Sequence, residues 1–194
     1  MKWIIIFLII MCIVHIYLHF IVHIDTRLST LNEITREEIT NTVYFKLPFI
    51  IDSPSLNLQA IDIATCEKIS KRQYTKPYDS IPLLEPLVKF FTQNTIYELK
   101  KGKKISTHTN LECRNFYIIH TGNVYITLIN PNNKDELRLE LSANKILFVP
   151  NYWSVHIKSI ELSIVEKLQY TTIMNHANFL WDYLINIKTC PICI

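Results

Sequence analysis

The chain has 194 residues, of which 49% are apolar and 19% charged, and this composition excludes a disordered chain because such chains are poor in apolar residues. A formal net charge of only +3 excludes the basic footprint of nucleic-acid-binding proteins, so we expect no nucleic-acid partner. The chain has only two glycines, which excludes the glycine-rich phosphate-binding loops of P-loop and Rossmann enzymes.

Residues 1–24 are predicted to form a transmembrane anchor. From residue 3 to residue 24 no side chain is charged, and Ile, Leu, Val and Phe dominate. At about 1.5 Å per residue this run would extend about 30 Å, the thickness of a bilayer core. No small-residue cleavage site follows it. The sequence therefore predicts an uncleaved, single-pass membrane protein whose partner is the lipid bilayer.

The orientation of this anchor is only weakly indicated. The basic residues on its two sides nearly balance, so the positive-inside rule does not decide. No N-x-[ST] glycosylation motif occurs in the chain, which favours a cytosolic location for the rest of it. His15, His19 and His23 share one face of the predicted helix. They are either neutral residues that the bilayer tolerates or a proton path or metal site.

The remaining residues divide into a stalk and one domain. Residues 25–43 are polar, with Leu28, Leu31 and Ile34 at helical spacing, and predict a short amphipathic stalk. Residues 44–194 predict a mainly β domain, because short apolar runs follow one another closely. A short helix is expected within residues 81–93, and a closing amphipathic helix over residues 175–187. The predicted strands are Arg114–His120, Val124–Ile129, Glu136–Leu141, Lys145–Val149, Trp153–Ile160 and Leu162–Tyr170.

Two blocks of this domain carry a family resemblance. The first is HTNLECRNFYIIHTGNVYITLINP, residues 108–131, with a turn at His120-Thr121-Gly122-Asn123 that predicts a hairpin; the second is LFVPNYWSVHI, residues 147–157. They resemble the cupin superfamily, and more closely its cupin-like, JmjC-related hydroxylase branch, to which the asparaginyl hydroxylases belong. That resemblance implies a double-stranded β-helix, of the cupin or jelly-roll kind, over roughly residues 44–187.

The resemblance also implies a metal site inside the mouth of the barrel. Its ligands would be His108, Asn110 and His156, and its cofactors Fe(II) and 2-oxoglutarate. Positions 108 and 110 are two apart, so on a strand both side chains point to the same face. A third ligand from a distant strand would complete the facial arrangement of a non-haem Fe(II) oxygenase. Trp153 is expected to pack in the barrel. Tyr117 and Tyr152 could line a pocket, although packing in the core is favoured.

Two positions depart from the family pattern. Asn110 stands where the family has aspartate, and a neutral amide brings no negative charge to Fe(II). Val124 stands where the family has a lysine that pairs with the 2-oxoglutarate carboxylate, and valine cannot form that pair. Lys158 or Lys167 could replace the lysine as a cofactor-binding residue, and Glu112 could replace the carboxylate.

Three functions remain open from the sequence. The first is a membrane-anchored, cupin-like protein with decayed hydroxylase machinery that serves as a binding or structural module. The second is an Fe(II)/2-oxoglutarate-dependent oxygenase with an atypical His/Asn/His site. The third is a structural protein of a viral or organelle membrane. The residues at positions 110 and 124 favour the first. Cys190 and Cys193 form a C-x-x-C that is a redox pair, half of a zinc site, or an incidental or palmitoylated tail.

Overall fold

The computed structural model describes residues 2–20, 26–31, 35, 39, 42–43, 46–52, 67–70, 73–75, 84 and 91–171. The helix α1 comprises Lys2–Phe20. The strands are β1 (Ser29–Leu31), β2 (Phe49–Asp52), β3 (Glu67–Ser70), β4 (Gln73–Thr75), β5 (Phe91–Leu99), β6 (Lys104–Thr109), β7 (Arg114–Thr121), β8 (Val124–Ile129), β9 (Glu136–Leu141), β10 (Lys145–Val149), β11 (Ser154–Ser159) and β12 (Ser163–Thr171).

The strands form two sheets. One has the order β1-β2-β10-β7-β12-β5-β4-β3 and the other the order β6-β11-β8-β9. From β5 to β12 the chain moves between the sheets at every connection except the β8–β9 hairpin, so that β10-β7-β12-β5 is opposed by β6-β11-β8-β9. Two four-stranded sheets connected in this way are a jelly roll, the double-stranded β-helix of cupins. The prediction of a mainly β domain is confirmed.

The core between the sheets receives side chains from both of them. Tyr117 and Ile119 of β7 and Val165 of β12 meet Ile126 of β8 and Val155 of β11, all fully buried. The side chains that alternate with these along the strands of the large sheet point to its other face. Those at positions 116 and 118, for example, are buried in a second cluster there. The central strands are therefore covered on both sides, which explains their continuous apolar runs.

The prediction of a helical stalk is wrong for residues 29–31. Ser29–Leu31 forms strand β1, which pairs in parallel with β2, and Leu31 is buried in the second cluster. A three-residue strand is too short to leave an alternating pattern, so the helical spacing of Leu28, Leu31 and Ile34 was misleading. Of the rest of the stalk, the structure describes only residues 26–28, 35, 39 and 42–43.

The predicted hairpin at Gly122 is also wrong, although the strands on both sides of it are confirmed. β7 pairs with β10 and β12, whereas β8 pairs with β9 and β11. The turn therefore carries the chain from one sheet to the other. A local turn signature shows that the chain changes direction, but the strand pairing is set by distant residues.

The predicted helices have different outcomes. Among the residues that the structure describes, no helix has the length and apolar character needed to cross a bilayer, so the transmembrane helix expected over residues 1–24 is not found there, and this region contains α1. Residues 172–194 lie outside the described residues. The prediction of a C-terminal helix and the alternatives for Cys190 and Cys193 fall in that range. Most of the possible helix at residues 81–93 also lies outside them, and residues 91–93 belong to β5.

Candidate functional site

His108 and Asn110 lie at the open edge of the small sheet. His108 is in β6, opposite Val155 of β11, and Val155 is buried between the sheets. Directly opposed residues of an antiparallel pair lie on the same face, so His108 faces the interior. Asn110 follows β6 and is fully buried. Its backbone N–H donates to the carbonyl oxygen of Trp153 at 3.0 Å. This hydrogen bond holds the backbone of Asn110 beside that of Trp153.

Tyr117 joins these two residues from the opposite sheet. Its hydroxyl lies 2.9 Å from Nε2 of His108 and donates to Oδ1 of Asn110, also at 2.9 Å. On the other side of the imidazole, Nδ1 of His108 lies 3.1 Å from the carbonyl oxygen of Ser106. Both ring nitrogens of His108 are therefore within hydrogen-bonding distance of protein oxygens.

Lys167 brings a positive charge to the same place. It lies in β12 directly opposite Tyr117 of β7, and its Nζ is 5.7 Å from the centroid of the tyrosine ring. Lys167 is only 6% exposed. Its burial lowers the pKa of the ammonium group, and the negative charge of Glu112 opposes this shift.

The same environment keeps the neighbouring groups neutral. Burial lowers the pKa of His108, and the charge of Lys167 lowers it further, against smaller opposing effects of the Ser106 carbonyl and Glu112. Burial also raises the pKa of Tyr117 well above its ordinary value, although the hydrogen bond to Asn110 acts in the opposite direction. The site therefore combines one cation and one carboxylate with uncharged hydrogen-bonding groups.

Two buried donor atoms of these residues have no hydrogen-bond acceptor among the described residues. Among the described residues, neither Nδ2 of Asn110 nor Nε1 of Trp153 has a hydrogen-bond partner, although both residues are fully buried. We give the name Lys167 cluster to Tyr117 and four further residues; the five members are His108, Asn110, Tyr117, Trp153 and Lys167.

His156 and Lys158 lie on the other face of the small sheet. Val155 and Ile157 of β11 are buried between the sheets, and successive side chains of a strand point to opposite faces. His156 therefore faces outward beside Thr127, its neighbour in β8, and Lys158 is exposed. The structure brings His108 and Asn110 together and does not bring His156 to them. Of the two candidate lysines, only Lys167 lies at the site.

The residues implied by the family do not fit Fe(II). Both ring nitrogens of His108 lie within hydrogen-bonding distance of protein oxygens. Asn110 is uncharged and already accepts a hydrogen bond from Tyr117, and His156 faces away. In the described part of the chain, no three His, Cys, Asp or Glu side chains are grouped so that they could hold a metal ion. The metal site stays a prediction, because the structure does not bring His108, Asn110 and His156 together. Val124, at the family's lysine position, is fully buried in the core.

Sequence reasoning missed the central role of Tyr117. We expected both Tyr117 and Trp153 to pack in the core, and both are fully buried, but Tyr117 also connects His108 with Asn110. A tyrosine within the apolar run of β7 was a signal, because a buried hydroxyl normally has a hydrogen-bond partner. Its partner could not be identified without the pairing of the strands.

The strand order and the enclosed polar cluster define a double-stranded β-helix of the cupin type. Similar solved structures include a cupin superfamily protein from Desulfitobacterium hafniense, with 14% identity over 59% of this chain and 93% of that one and a TM-score of 0.41. The coconut allergen cocosin has 15% identity over 59% of this chain and 31% of that one, with a TM-score of 0.45. The ribosomal oxygenase YcfD from Escherichia coli has 15% identity over 50% of this chain and 28% of that one, with a TM-score of 0.38. No family model and no curated protein matches the chain.

The lowered pKa of His108 leads to a testable pH dependence. As the pH falls below the ordinary value of 6.5, the unfolded chain takes up a proton that the folded protein resists, so His108 should contribute a loss of stability in acid. Replacing His108 with glutamine should reduce the loss of unfolding free energy between pH 7 and pH 5, measured by urea denaturation. His156→Gln, which removes a histidine from the outer face of the small sheet, is the matched control for the loss of one histidine. Equal pH profiles for His108→Gln and the wild type would contradict this explanation.

Proposed function

We propose that the chain is a cupin-like relative of the JmjC-type hydroxylases that has lost hydroxylase chemistry and acts as a binding module. The observation that carries this proposal is that both ring nitrogens of His108 lie within hydrogen-bonding distance of protein oxygens. A metal needs a ring nitrogen directed at an open coordination position, and here one nitrogen faces Tyr117 and the other Ser106. The replacement of an acidic ligand by Asn110 supports the same conclusion.

The buried lysine favours binding over a purely structural role. Placing an ammonium group in an apolar core costs free energy unless the charge is compensated, and an apolar side chain of similar volume is usually at least as stabilising at such a position. The Tyr117 ring and the charge of Glu112 compensate the ammonium group only in part, because the pKa of Lys167 is still lowered. A ligand that interacts with this charge explains why a lysine occupies the position.

Elemental analysis and a turnover assay test the loss of hydroxylase chemistry. The full-length protein, purified and supplied with Fe(II), ascorbate and 2-oxoglutarate, should retain substoichiometric iron and form no succinate above background. The double variant His108→Ala/His156→Ala provides the control and should give the same iron content and the same background. Stoichiometric iron and succinate formation that are both lost in the double variant would overturn the proposal and establish the oxygenase.

We further propose that residues 1–24, of which α1 is only a part, anchor the chain in a lipid bilayer as a single-pass segment, with the barrel in the cytosol. Eight large apolar side chains of α1 are 45–82% exposed, namely Trp3, Ile4, Ile5, Ile6, Phe7, Ile9, Ile10 and Ile13. An apolar patch of this size in water is unfavourable, and such patches mark membrane or protein contacts. The absence of charge from residues 3–24 favours lipid as the partner.

Membrane fractionation tests the anchor. The wild-type chain should float with membranes and remain with them after washing with alkaline carbonate, whereas Ile6→Asp/Ile9→Asp should be released. Leu162→Asp is the matched control, because Leu162 is also an exposed apolar residue but lies in the barrel, and this variant should remain bound. Carbonate release of the wild-type chain would contradict a single-pass anchor. Protection of the loop at residues 100–104 from protease added to the cytosolic side would contradict the orientation.

A further inference from the structure

We propose that one end of the barrel binds the anionic surface of a second lipid bilayer, so that the protein connects two membranes. This inference goes beyond the Lys167 cluster, and it rests on the proposed anchor, which supplies the first membrane. The binding surface is formed by five exposed lysines that we name the lysine end; they are Lys100, Lys101, Lys103, Lys104 and Lys158.

Positive charge is concentrated at the lysine end. Four of its members belong to the run KKGKK at residues 100–104, which connects β5 to β6. The carboxylates nearest to these lysines along the chain, Glu98 and Glu161, supply only two negative charges. The whole chain has a net charge of only +3, so a large part of its positive charge lies at this one place. Such a local excess attracts anions.

The fold holds these charges together although they repel one another. Lys104 of β6 lies directly opposite Lys158 of β11, and like charges in this arrangement destabilise a sheet. The backbone N–H of Gly102 donates to the carbonyl oxygen of Ser159, and that of Ser159 donates to the carbonyl oxygen of Lys103, both at 2.9 Å. The ion pairs of the described residues include none of the five lysines. An anionic partner would therefore relieve a repulsion that the fold maintains.

The surroundings of the lysines favour lipid over nucleic acid or an acidic protein. Tyr125 lies directly opposite Lys158 and is 49% exposed, and Leu162, in the turn between β11 and β12, is 59% exposed. Apolar and aromatic side chains beside lysines suit a bilayer surface, because they enter the headgroup region while the ammonium groups contact anionic lipids. The lysine end contains no arginine, the residue preferred for bidentate contacts with the phosphates of nucleic acids and the carboxylates of proteins.

The anchor is attached to the opposite end of the barrel. Thr26 is two residues beyond the uncharged run at 3–24, and its hydroxyl oxygen accepts hydrogen bonds from the side chains of Asn130 and Asn133 at 3.3 and 3.2 Å. Asn130 follows β8, whose last residue lies opposite the first residue of β11, whereas Lys158 is near the last residue of β11.

This separation determines which membrane the lysine end reaches. Strand β11 has six residues, so at about 3.3 Å per residue the two ends of the small sheet are about 17 Å apart. A barrel that is held to its own membrane at the Thr26 end presents the lysine end to a bilayer on the other side. The proposed cytosolic location supports an anionic partner, because cytosolic membrane surfaces carry anionic lipids.

Capture of vesicles by the reconstituted full-length protein tests the proposal. Phosphatidylcholine vesicles that contain the protein are fixed to beads, and fluorescent vesicles of phosphatidylcholine, with or without about one third phosphatidylserine, are added. Capture of the phosphatidylserine vesicles should be at least about tenfold greater, and added salt should weaken it. Lys101→Gln/Lys103→Gln should lower this capture about fivefold or more. Lys134→Gln/Arg138→Gln, which removes two exposed positive charges from outside the lysine end, should leave it unchanged.

Other results would overturn the inference. Equal capture of the two kinds of vesicle, or undiminished capture by Lys101→Gln/Lys103→Gln, would show that the lysines do not bind anionic lipid. Retention of a DNA oligonucleotide or a poly-glutamate peptide at physiological ionic strength, without capture of phosphatidylserine vesicles, would replace lipid as the partner. No capture by protein that stays in the bead-bound vesicles after carbonate washing would refute the second membrane alone. Release of the protein by carbonate would instead refute the anchor, and with it this inference.

Discussion

Replacing Glu166 with alanine should lower the free energy of unfolding by at least about 2 kcal/mol, because two buried polar side chains lose an acceptor and each such loss costs about 1–3 kcal/mol. Oε2 of Glu166 lies 2.6 Å from Nε2 of His120, and the two side chains are only 6% and 8% exposed. Asn94 donates to the other carboxylate oxygen at 2.5 Å. The alanine variant leaves His120 and Asn94 in a buried position without this acceptor, and urea denaturation measures the loss.

A surface ion pair provides the matched control. Glu136 accepts from Arg138 at 2.8 Å, but these side chains are 46% and 79% exposed, and exposed pairs contribute about 0–1 kcal/mol. Glu136→Ala should therefore change the unfolding free energy by less than about 1 kcal/mol. Similar losses in the two variants would show that burial of the His120–Glu166 pair does not determine its energetic importance.

Six of the eight barrel strands, β7 to β12, could be predicted because their signal is local, whereas β5 and β6 were not predicted. In β9, Glu136, Arg138 and Glu140 are exposed, and they alternate with partly buried leucines and the buried Leu141. This strand and β10 begin and end at the predicted residues. The alternation records which face each residue presents, so it is visible without knowledge of the neighbouring strands.

The pairing of strands could not be predicted in the same way. β7 and β8 are adjacent in sequence yet belong to different sheets, and the short strand β1 is specified by its pairing with β2. These arrangements depend on contacts between distant residues. A turn containing glycine is compatible both with a hairpin and with a crossing between sheets, so the local sequence did not distinguish them.

The candidate site could be predicted in part for a related reason. His108 and Asn110 were correctly expected on one face, since that expectation needs only their spacing. Whether His156 and the candidate lysines face the interior depends on the register of β11 and β12, and a shift of one residue reverses the face. The register places His156 and Lys158 outside, and it places Lys167 opposite Tyr117.

Substitution of Gly122 tests the crossing between the sheets most directly. Gly122 has a φ of 76°, and a Cβ atom there would contact the carbonyl oxygen of Leu162 and would lie 2.5 Å from Oγ and 2.9 Å from Cα of Ser163. The left-handed conformation costs an L-residue about 1–2 kcal/mol, and crowding in a packed region adds about 1–3 kcal/mol. Gly122→Ala should therefore destabilise the protein by about 2–5 kcal/mol in urea denaturation.

Gly102 separates these two costs, because it has the same φ of 76° but no atom within 4 Å of the position that an alanine methyl group would occupy. Gly102→Ala should lose only the conformational part, about 1–2 kcal/mol. The additional loss of unfolding free energy in Gly122→Ala then measures how closely the turn between β7 and β8 packs against the turn between β11 and β12. Equal losses in the two variants would mean that the second turn moves aside at little cost, and that the close approach of the two turns does not hold the sheets together.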